Sequence, residues 1–402
     1  MGVDGNQVRL LASAATRFVK CPGSRSLTTM KNTIARIETF PVHYATAGYF
    51  KFFEGPKGRP SSRPSVVVKI TADNGSVGWG QSVPSHRWSY ETLETVLTTI
   101  EHYIAPELIG LDPFDFEAVH AAMKNVIANS FSTGQPICKA GVDLALFDLT
   151  GKMLGQSAAQ RWKRKGREKI TLSWTVNVRS LEEAEVVVAQ GLARGYRHFN
   201  VKLAPDAKFD LELCRIIKRL APECFLWADA NGGYDEATAL TVAPQLADLG
   251  VPVLEQPLAA NRLTGYQSLK RQGALPILMD EGIVSCVELE EFIKLDLLDG
   301  IAIKVARCGG LTEARRQIET ARDAGLMVLG SGLTDPDISL AASLALYGAY
   351  DLKHPAALNG PQFLEGSVLG KPFCVTKGEL DVPAGAGLGV QIVETELAKR
   401  GG

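Results

Sequence analysis

Five ionisable residues close five short apolar runs. Lys202 ends His198-Phe-Asn-Val-Lys202, Asp229 ends Phe225-Leu-Trp-Ala-Asp229 and Glu255 ends Val253-Leu-Glu255, while Asp280 ends Ile277-Leu-Met-Asp280 and Lys304 ends Ile301-Ala-Ile-Lys304. Successive gaps are 27, 26, 25 and 24 residues, about one strand-plus-helix unit each. Such units, closed into a ring, bring the five to one rim in the order Lys, Asp, Glu, Asp, Lys. Three carboxylates held together cannot all stay ionised without compensating charge. Oxygen-only ligation suits a hard cation, and two or three carboxylates with open positions suit Mg²⁺. Two lysines flanking that ion would stand on opposite sides of a bound substrate. Burial and the nearby cation would lower a lysine pKa toward the range of a general base. The chemistry implied is removal of a proton alpha to a carboxylate, the ion stabilising the enediolate. One such residue alone is an ordinary rim residue or a helix N-cap; five at barrel-repeat spacing point to a site. Asn231 and Glu281 lie beside the acidic residues, placed either to orient them or to cap helices.

The elements that must position these residues follow from the hydrophobic pattern. From Lys169 onward short apolar runs alternate with amphipathic helices: Ile170–Val176, His198–Lys202, Phe225–Ala228, Val253-Leu254, Ile277–Met279, Ile301–Lys304, Met327–Leu329 and an eighth near Leu352–Leu358. Repeated βα units with right-handed crossovers make a parallel sheet, and seven or eight of them close into a barrel with its chemistry at the C-terminal strand ends. An open doubly wound sheet is the alternative, but no Gly-x-Gly-x-x-Gly follows a strand. Before the barrel, Thr33–Val42 alternates as a half-buried strand, Ser65-Val-Val-Val-Lys-Ile70 is a second, and Asp73-Asn74-Gly75 turns the chain into Val77-Gly-Trp-Gly80. Helical patterns at Tyr90–Leu108, Pro113–Ile127 and Pro136–Leu154 complete an α+β unit. The stretch His43–Arg63, rich in Gly, Pro and aromatics, reads as too irregular for a packed element. Domain limits are expected at 31–155 for the α+β domain, completed by residues 370–402, and at 169–360 for the barrel. Residues 1–30, basic and free of acidic residues from Gln7 to Met30, read as a disordered leader.

Composition sets the outer bounds. The chain has 402 residues, 46% of them hydrophobic and 22% charged, with a formal net charge of -1. No global field draws it to nucleic acid or an acidic membrane, and no apolar run nears the roughly 20 residues needed to span a bilayer. Seven scattered cysteines, odd in number and in no metal-binding spacing, fit reduced thiols and a cytoplasmic location.

From Lys31 to the C-terminus the chain resembles the enolase superfamily and, within it, the muconate lactonizing enzyme subgroup of the mandelate racemase/muconate lactonizing enzyme family. The matching stretches are Val201-Lys202, Asp229-Ala-Asn231, Leu254-Glu-Gln-Pro257, Met279-Asp-Glu-Gly282 and Lys304-Val-Ala-Arg-Cys-Gly-Gly-Leu-Thr-Glu-Ala314, with a helix Ala140–Lys152 and a closing segment Val382–Val390. The resemblance implies an α+β capping domain on a modified TIM barrel, (β/α)7β, within the α/β class. It implies one Mg²⁺, with Mn²⁺ as a substitute, on Asp229, Glu255 and Asp280, and Lys202 and Lys304 as acid/base catalysts on opposite faces. It also implies a small-molecule carboxylate substrate and a homo-oligomer. The subgroup built on a His–Asp dyad fits worse, because Lys304 stands where its Asp would be and Gly330-Ser331-Gly332 brings no histidine to the seventh strand. Two departures stand out. Asn200 replaces the first lysine of the usual Lys-x-Lys, which should leave the Lys202 pKa higher. Leu333-Thr334-Asp335-Pro336 replaces the usual Leu-Glu-Ser.

Two lysines on opposite faces suit racemisation or epimerisation of an amino-acid derivative. The alternatives are a lyase (an acid-sugar or hydroxy-acid dehydratase, or an o-succinylbenzoate-synthase-like elimination), a muconate-type cycloisomerase, or a non-catalytic metal-binding relative. Substrate contacts are expected from the His43–Arg63 loop (Tyr44, Tyr49, Phe50, Phe52 and Phe53, with Lys51 and Lys57), from Trp88 and Tyr90, and from the eighth strand. There Asp351-Leu-Lys353 resembles the Asp-x-Asp with which dipeptide epimerases hold an ammonium, and Lys353 argues against a dipeptide. Ser331 and Asp335 are further candidates.

Overall fold

The computed structural model describes residues 32–53, 62–129 and 132–401; the expected leader and Lys57 lie outside them. An antiparallel sheet comes first. Ile34–Thr46 pairs with Ser62–Ala72, which pairs with Val77–Ser82. The first strand also pairs with Leu364–Glu365 through Ala45↔Glu365 and Thr46↔Leu364. Both faces of this sheet are covered, which explains the unbroken Val66-Val-Val68 run. Val66, Val68 and Ile70 join a core with Val96, Ile100, Ile104, Val142 and Leu149, whereas Val67, Val42, Tyr44 and Trp79 join the core that extends into the barrel.

The helix Pro136–Leu154 is buried from Pro136 to Gly151 and lies directly on the sheet. A Cβ at Gly80 would sit 1.9 Å from the Gly141 carbonyl oxygen, so glycine there is what permits the approach. Asp148 on this helix accepts hydrogen bonds from the backbone N–H of Trp79 and of Leu388, each at 2.9 Å, and pairs with Lys152 at 2.6 Å. One buried carboxylate thus ties sheet, helix and C-terminal segment together. The expected helix at Tyr90–Leu108 is present as Leu93–Thr99, a wider turn Ile100–Ile104 and Ala105–Leu108; the next runs Phe116–Val126.

Part of His43–Arg63 departs from expectation. The first strand runs on to Thr46 and the second begins at Ser62. Between them, Phe53 N–H to Phe50 O at 2.9 Å closes a turn, and Phe50 and Phe53 pack on Phe363, with ring centroids 4.8 and 6.3 Å away. Aromatic burial supplies what strand periodicity did not signal.

Seven parallel strands follow in sequential order: Ser173–Val176, His198–Lys202, Leu226–Asp229, Val253–Glu255, Ile277–Met279, Gly300–Ile303 and Met327–Gly330. The ring closes through a segment of two bridged residues, Leu172↔Ala356 and Ser331↔Ala357, both parallel. The eighth strand is therefore Ala356-Ala357, shorter than the expected Leu352–Leu358. Side chains alternate inward and outward along each strand. Trp227, Val253, Leu278, Ala302, Leu329 and Ala357 form one inward apolar layer, while Leu226, Ala228, Leu254 and Ile303 face the surrounding helices. Among the described residues no helix is long and apolar enough to cross a membrane, and six cysteines are unpaired thiols.

Candidate active site

The inward apolar layer dictates what stands above it. Moving two residues along each strand keeps the side chain on the same face. Trp227, Val253, Leu278, Ala302, Leu329 and Ala357 are thereby followed by Asp229, Glu255, Asp280, Lys304, Ser331 and Asn359. Lys202, Asp229 and Glu255 share one rung, with Cα partners Lys202↔Asp229 and Asp229↔Glu255. Strand pleat, and no long-range coincidence, turns residues 24 to 27 apart into neighbours.

Asp229, Glu255 and Asp280 are fully buried, and each offers a carboxylate oxygen within 4.8 Å of those of the other two. Lys202 pairs with Asp229 and Lys304 with Asp280, and Lys304 Nζ lies 3.8 Å from Glu255 Oε1. Glu255 Oε1 and Asp280 Oδ2 accept no hydrogen bond. A buried carboxylate oxygen without a donor is costly, and here two of them converge in an all-oxygen set. Burial, followed by repulsion from Asp229 and Asp280, pushes the Glu255 pKa well above the ordinary carboxylate range. Burial likewise pushes Glu281 up to about 8, with Asp280 and Asp229 adding to it. Burial would raise Asp280 as well, but Lys304 and Arg307 outweigh it and hold its pKa low. Burial would lower the Lys202 pKa, yet Asp229 and Glu255 leave it above the usual lysine value. Donor type, spacing and the orphaned oxygens all fit a hard divalent cation.

Arg307 is the neighbour whose role the sequence did not reveal, although it sits inside a quoted motif. It is almost fully buried, pairs with Asp280 Oδ1 and donates to the Ala302 carbonyl at 3.0 Å. By occupying Oδ1 it leaves Oδ2 as the free oxygen. Arg307→Leu is expected to destabilise the fold by about 3 kcal/mol, since it strips a buried carboxylate of a partner. A shift of the urea midpoint would measure this, and an unshifted midpoint would deny Arg307 that role.

The other candidates separate into two groups. Asn200, Asn231, Ser331 and Trp88 line one cavity together with Lys202, Asp280 and Lys304. Asn200 is buried and donates to the Trp227 carbonyl at 3.3 Å. Asn231 has a left-handed φ of 45° and donates its backbone N–H to Asp229 Oδ1 at 2.9 Å, its own Oδ1 unpartnered. The Trp88 ring lies 5.3 Å from Lys304 Nζ, a cation–π contact from the sheet domain. The second group lies elsewhere. Asp335 is buried, accepts from Leu333 N–H at 3.2 Å and Ser343 Oγ at 3.3 Å, and borders a different groove. Burial raises its pKa to about 6. Tyr49 stacks on Arg179 at 3.8 Å beside another groove. Asp351 pairs with Arg167 and Lys353 on the surface. The ring of the next residue, His354, lies 5.0 Å from that of Phe225, just before the third strand and so at the barrel end opposite Asp229. In their place the structure brings Asn359, which lines the cavity, is buried, and has an unpartnered Oδ1.

Comparison with known proteins agrees with this architecture. Residues 181–396 match the family described as enolase C-terminal domain-like, and residues 58–161 match the mandelate racemase/muconate lactonizing enzyme N-terminal domain. The chain belongs to the mandelate racemase/muconate lactonizing enzyme family of the enolase superfamily. An N-succinyl-L-Arg/Lys racemase of Bacillus cereus is 28% identical over 76% of this chain and 82% of its own. A chloromuconate cycloisomerase of Cupriavidus necator is 30% identical over 81% and 88%. Among solved structures, a muconate lactonizing enzyme from Pseudomonas fluorescens complexed with muconolactone superposes with a TM-score of 0.85 at 25% identity, over 92% of this chain and 99% of that one. The 2-chloromuconate cycloisomerase from Rhodococcus opacus gives 0.83 at 27%, over 93% and 100%. These relatives are isomerases of a superfamily that uses a divalent metal, and the chain is an enzyme of that superfamily.

Proposed function

We propose that this chain is a Mg²⁺-dependent racemase or epimerase of an amino-acid derivative, with N-acylated amino acids as the first class to test. The observation that carries the reading is the pair Lys202 and Lys304, on the second and sixth barrel strands, both bordering one cavity and each touching a different carboxylate of the cluster. Asp229, Glu255 and Asp280 would hold the ion, which supplies positive charge for the substrate carboxylate as its alpha carbon becomes carbanionic. With the ion offsetting Asp229 and Glu255, the charges that hold the Lys202 pKa up, Lys202 would act as the neutral amine. It takes the alpha proton from one face, while the Lys304 ammonium delivers a proton to the other; the reverse reaction exchanges their roles. Trp88, Phe50 and Phe52 wall the cavity and keep water from reprotonating the carbon at random. Similarity to an N-succinyl-L-Arg/Lys racemase supports the amino-acid class. The unpaired thiols support work in the cytoplasm, and we infer a homo-oligomer.

A second reading, cycloisomerisation of a muconate-type diacid, is supported by the 30% identity to a chloromuconate cycloisomerase. Chiral chromatography of single enantiomers of N-acyl amino acids, incubated with protein and Mg²⁺, decides between them. Appearance of the opposite enantiomer is the expected result. Optically unchanged acids, with loss of diene absorbance from a muconate, would transfer the assignment to the cycloisomerase.

A further inference from the structure

The described cations around the barrel mouth include Arg63, Lys202, Lys304, Arg307 and Lys51. Four of them are engaged. Lys202 pairs with Asp229, Lys304 with Asp280, and Arg307 with Asp280 and the Ala302 carbonyl. Arg63 donates to the carbonyls of Leu333 (2.7 Å), Val83 (2.8 Å) and Pro84 (2.5 Å). Lys51 has neither an ion pair nor a hydrogen bond among the described residues; its ammonium lies 5.2 Å from the centre of the Phe52 ring.

Its position is fixed by its neighbours. Lys51 and Phe52 occupy the centre of the turn closed by Phe53 N–H to Phe50 O. Phe50 and Phe53 anchor that turn on Phe363, four residues after the cavity-lining Asn359. Phe50, Phe52 and Phe53 line the same cavity as Lys202 and Lys304. The Lys51 side chain is half-buried, and the charges acting on it are Lys202, Asp229, Glu281 and Asp210. Burial, then the Lys202 charge, lower its pKa despite those three carboxylates. A half-buried ammonium with no hydrogen-bonded partner among the described residues gains from an anion brought beside it. Asn200, two residues before Lys202 on the same strand, is neutral, so Lys51 brings a second, separate cation to the Lys202 side of the mouth.

We propose that Lys51 reads the substrate: its ammonium binds a second anionic group, a carboxylate remote from the carbon that loses its proton, so the site selects dianionic acids. This rests on the assignment of the cavity as the substrate site of an alpha-proton-abstracting enzyme. The test is calorimetric titration of the full-length protein in Mg²⁺ with an N-succinyl amino acid and with its counterpart whose distal carboxylate is a carboxamide. The wild type is expected to prefer the dianion by about 30-fold, as for a hydrogen bond to a charged group. Lys51→Met should bring that preference close to one, and Lys51→Arg should restore most of it. Equal affinities in the wild type, or a preference that survives in Lys51→Met, would overturn the proposal. Alpha-proton exchange of the same acids in D₂O is measured separately: its absence while the Lys51-dependent preference persists would sink the reaction and leave the binding role intact.

Discussion

Glu255→Gln protein is expected to fold, to lose its divalent cation and, with it, at least about 10³-fold in turnover, the scale of removing a principal source of transition-state charge stabilisation. The substitution keeps the shape of the side chain and removes one of three buried anionic donors whose oxygens lie within 4.8 Å of each other. Glu255 is the carboxylate that its neighbours repel most clearly: burial and the charges of Asp229 and Asp280 all act against its ionised form. The metal-free variant is therefore expected to be at least as stable as the metal-free wild type. Adding Mg²⁺ to the wild type at 100 times its dissociation constant should add about 2.7 kcal/mol of stability, and adding it to the variant should add almost none. Thermal melts with and without Mg²⁺ give both numbers. Equal stabilisation of the two proteins would mean that the ion, if bound, sits elsewhere.

Lys202→Met and Lys304→Met should each cut interconversion of enantiomers by about 10³-fold, within the range for losing a general acid or base. The more telling outcome is asymmetric. Each variant should still exchange the alpha proton of one enantiomer, and the two variants should retain opposite ones. The reason is positional: the two ammonium groups project from the second and sixth of eight barrel segments, with Asp229, Glu255 and Asp280 on the three strands between them. A variant pair that loses exchange with the same enantiomer would place both lysines on one face. Lys→Met keeps most of the apolar stem, so Lys304→Met removes the ammonium over Trp88 with little loss of side-chain volume.

The sequence exposed the carboxylate cluster because a barrel repeats. Five residues about 25 apart, each ending an apolar run, can meet in few other ways, and strand pleat then turns them inward at one rim, the first three on one rung. What stayed hidden depended on elements too short to show a period. The eighth barrel segment is only Ala356-Ala357, with nothing in composition to separate it from a loop. The inward position two residues beyond it, Asn359, therefore carries no periodic signal, whereas the charged Asp351 and Lys353, conspicuous in the sequence, lie in a surface ion pair. The signal that finds Asn359 is the two-residue step from the inward apolar layer, and it requires knowing which residues face in. Arg307 was hidden for a different reason. A buried guanidinium is indistinguishable in sequence from a surface one until its partner, Asp280 on the neighbouring strand, is known. The aromatic run Phe50–Phe53 read as irregular because its order comes from contact with Phe363, more than 300 residues away in the chain.

Proton NMR of the full-length protein with Mg²⁺ in D₂O, run against both enantiomers of a set of N-acyl amino acids, tests the central claim most directly. The account predicts loss of the alpha-proton signal from both enantiomers of at least one acid, with deuterium appearing at that carbon and no new carbon skeleton. If Mg²⁺ binds at Asp229, Glu255 and Asp280 and yet no carboxylic acid in the set exchanges its alpha proton, the assignment of Lys202 and Lys304 as a two-faced acid/base pair is contradicted.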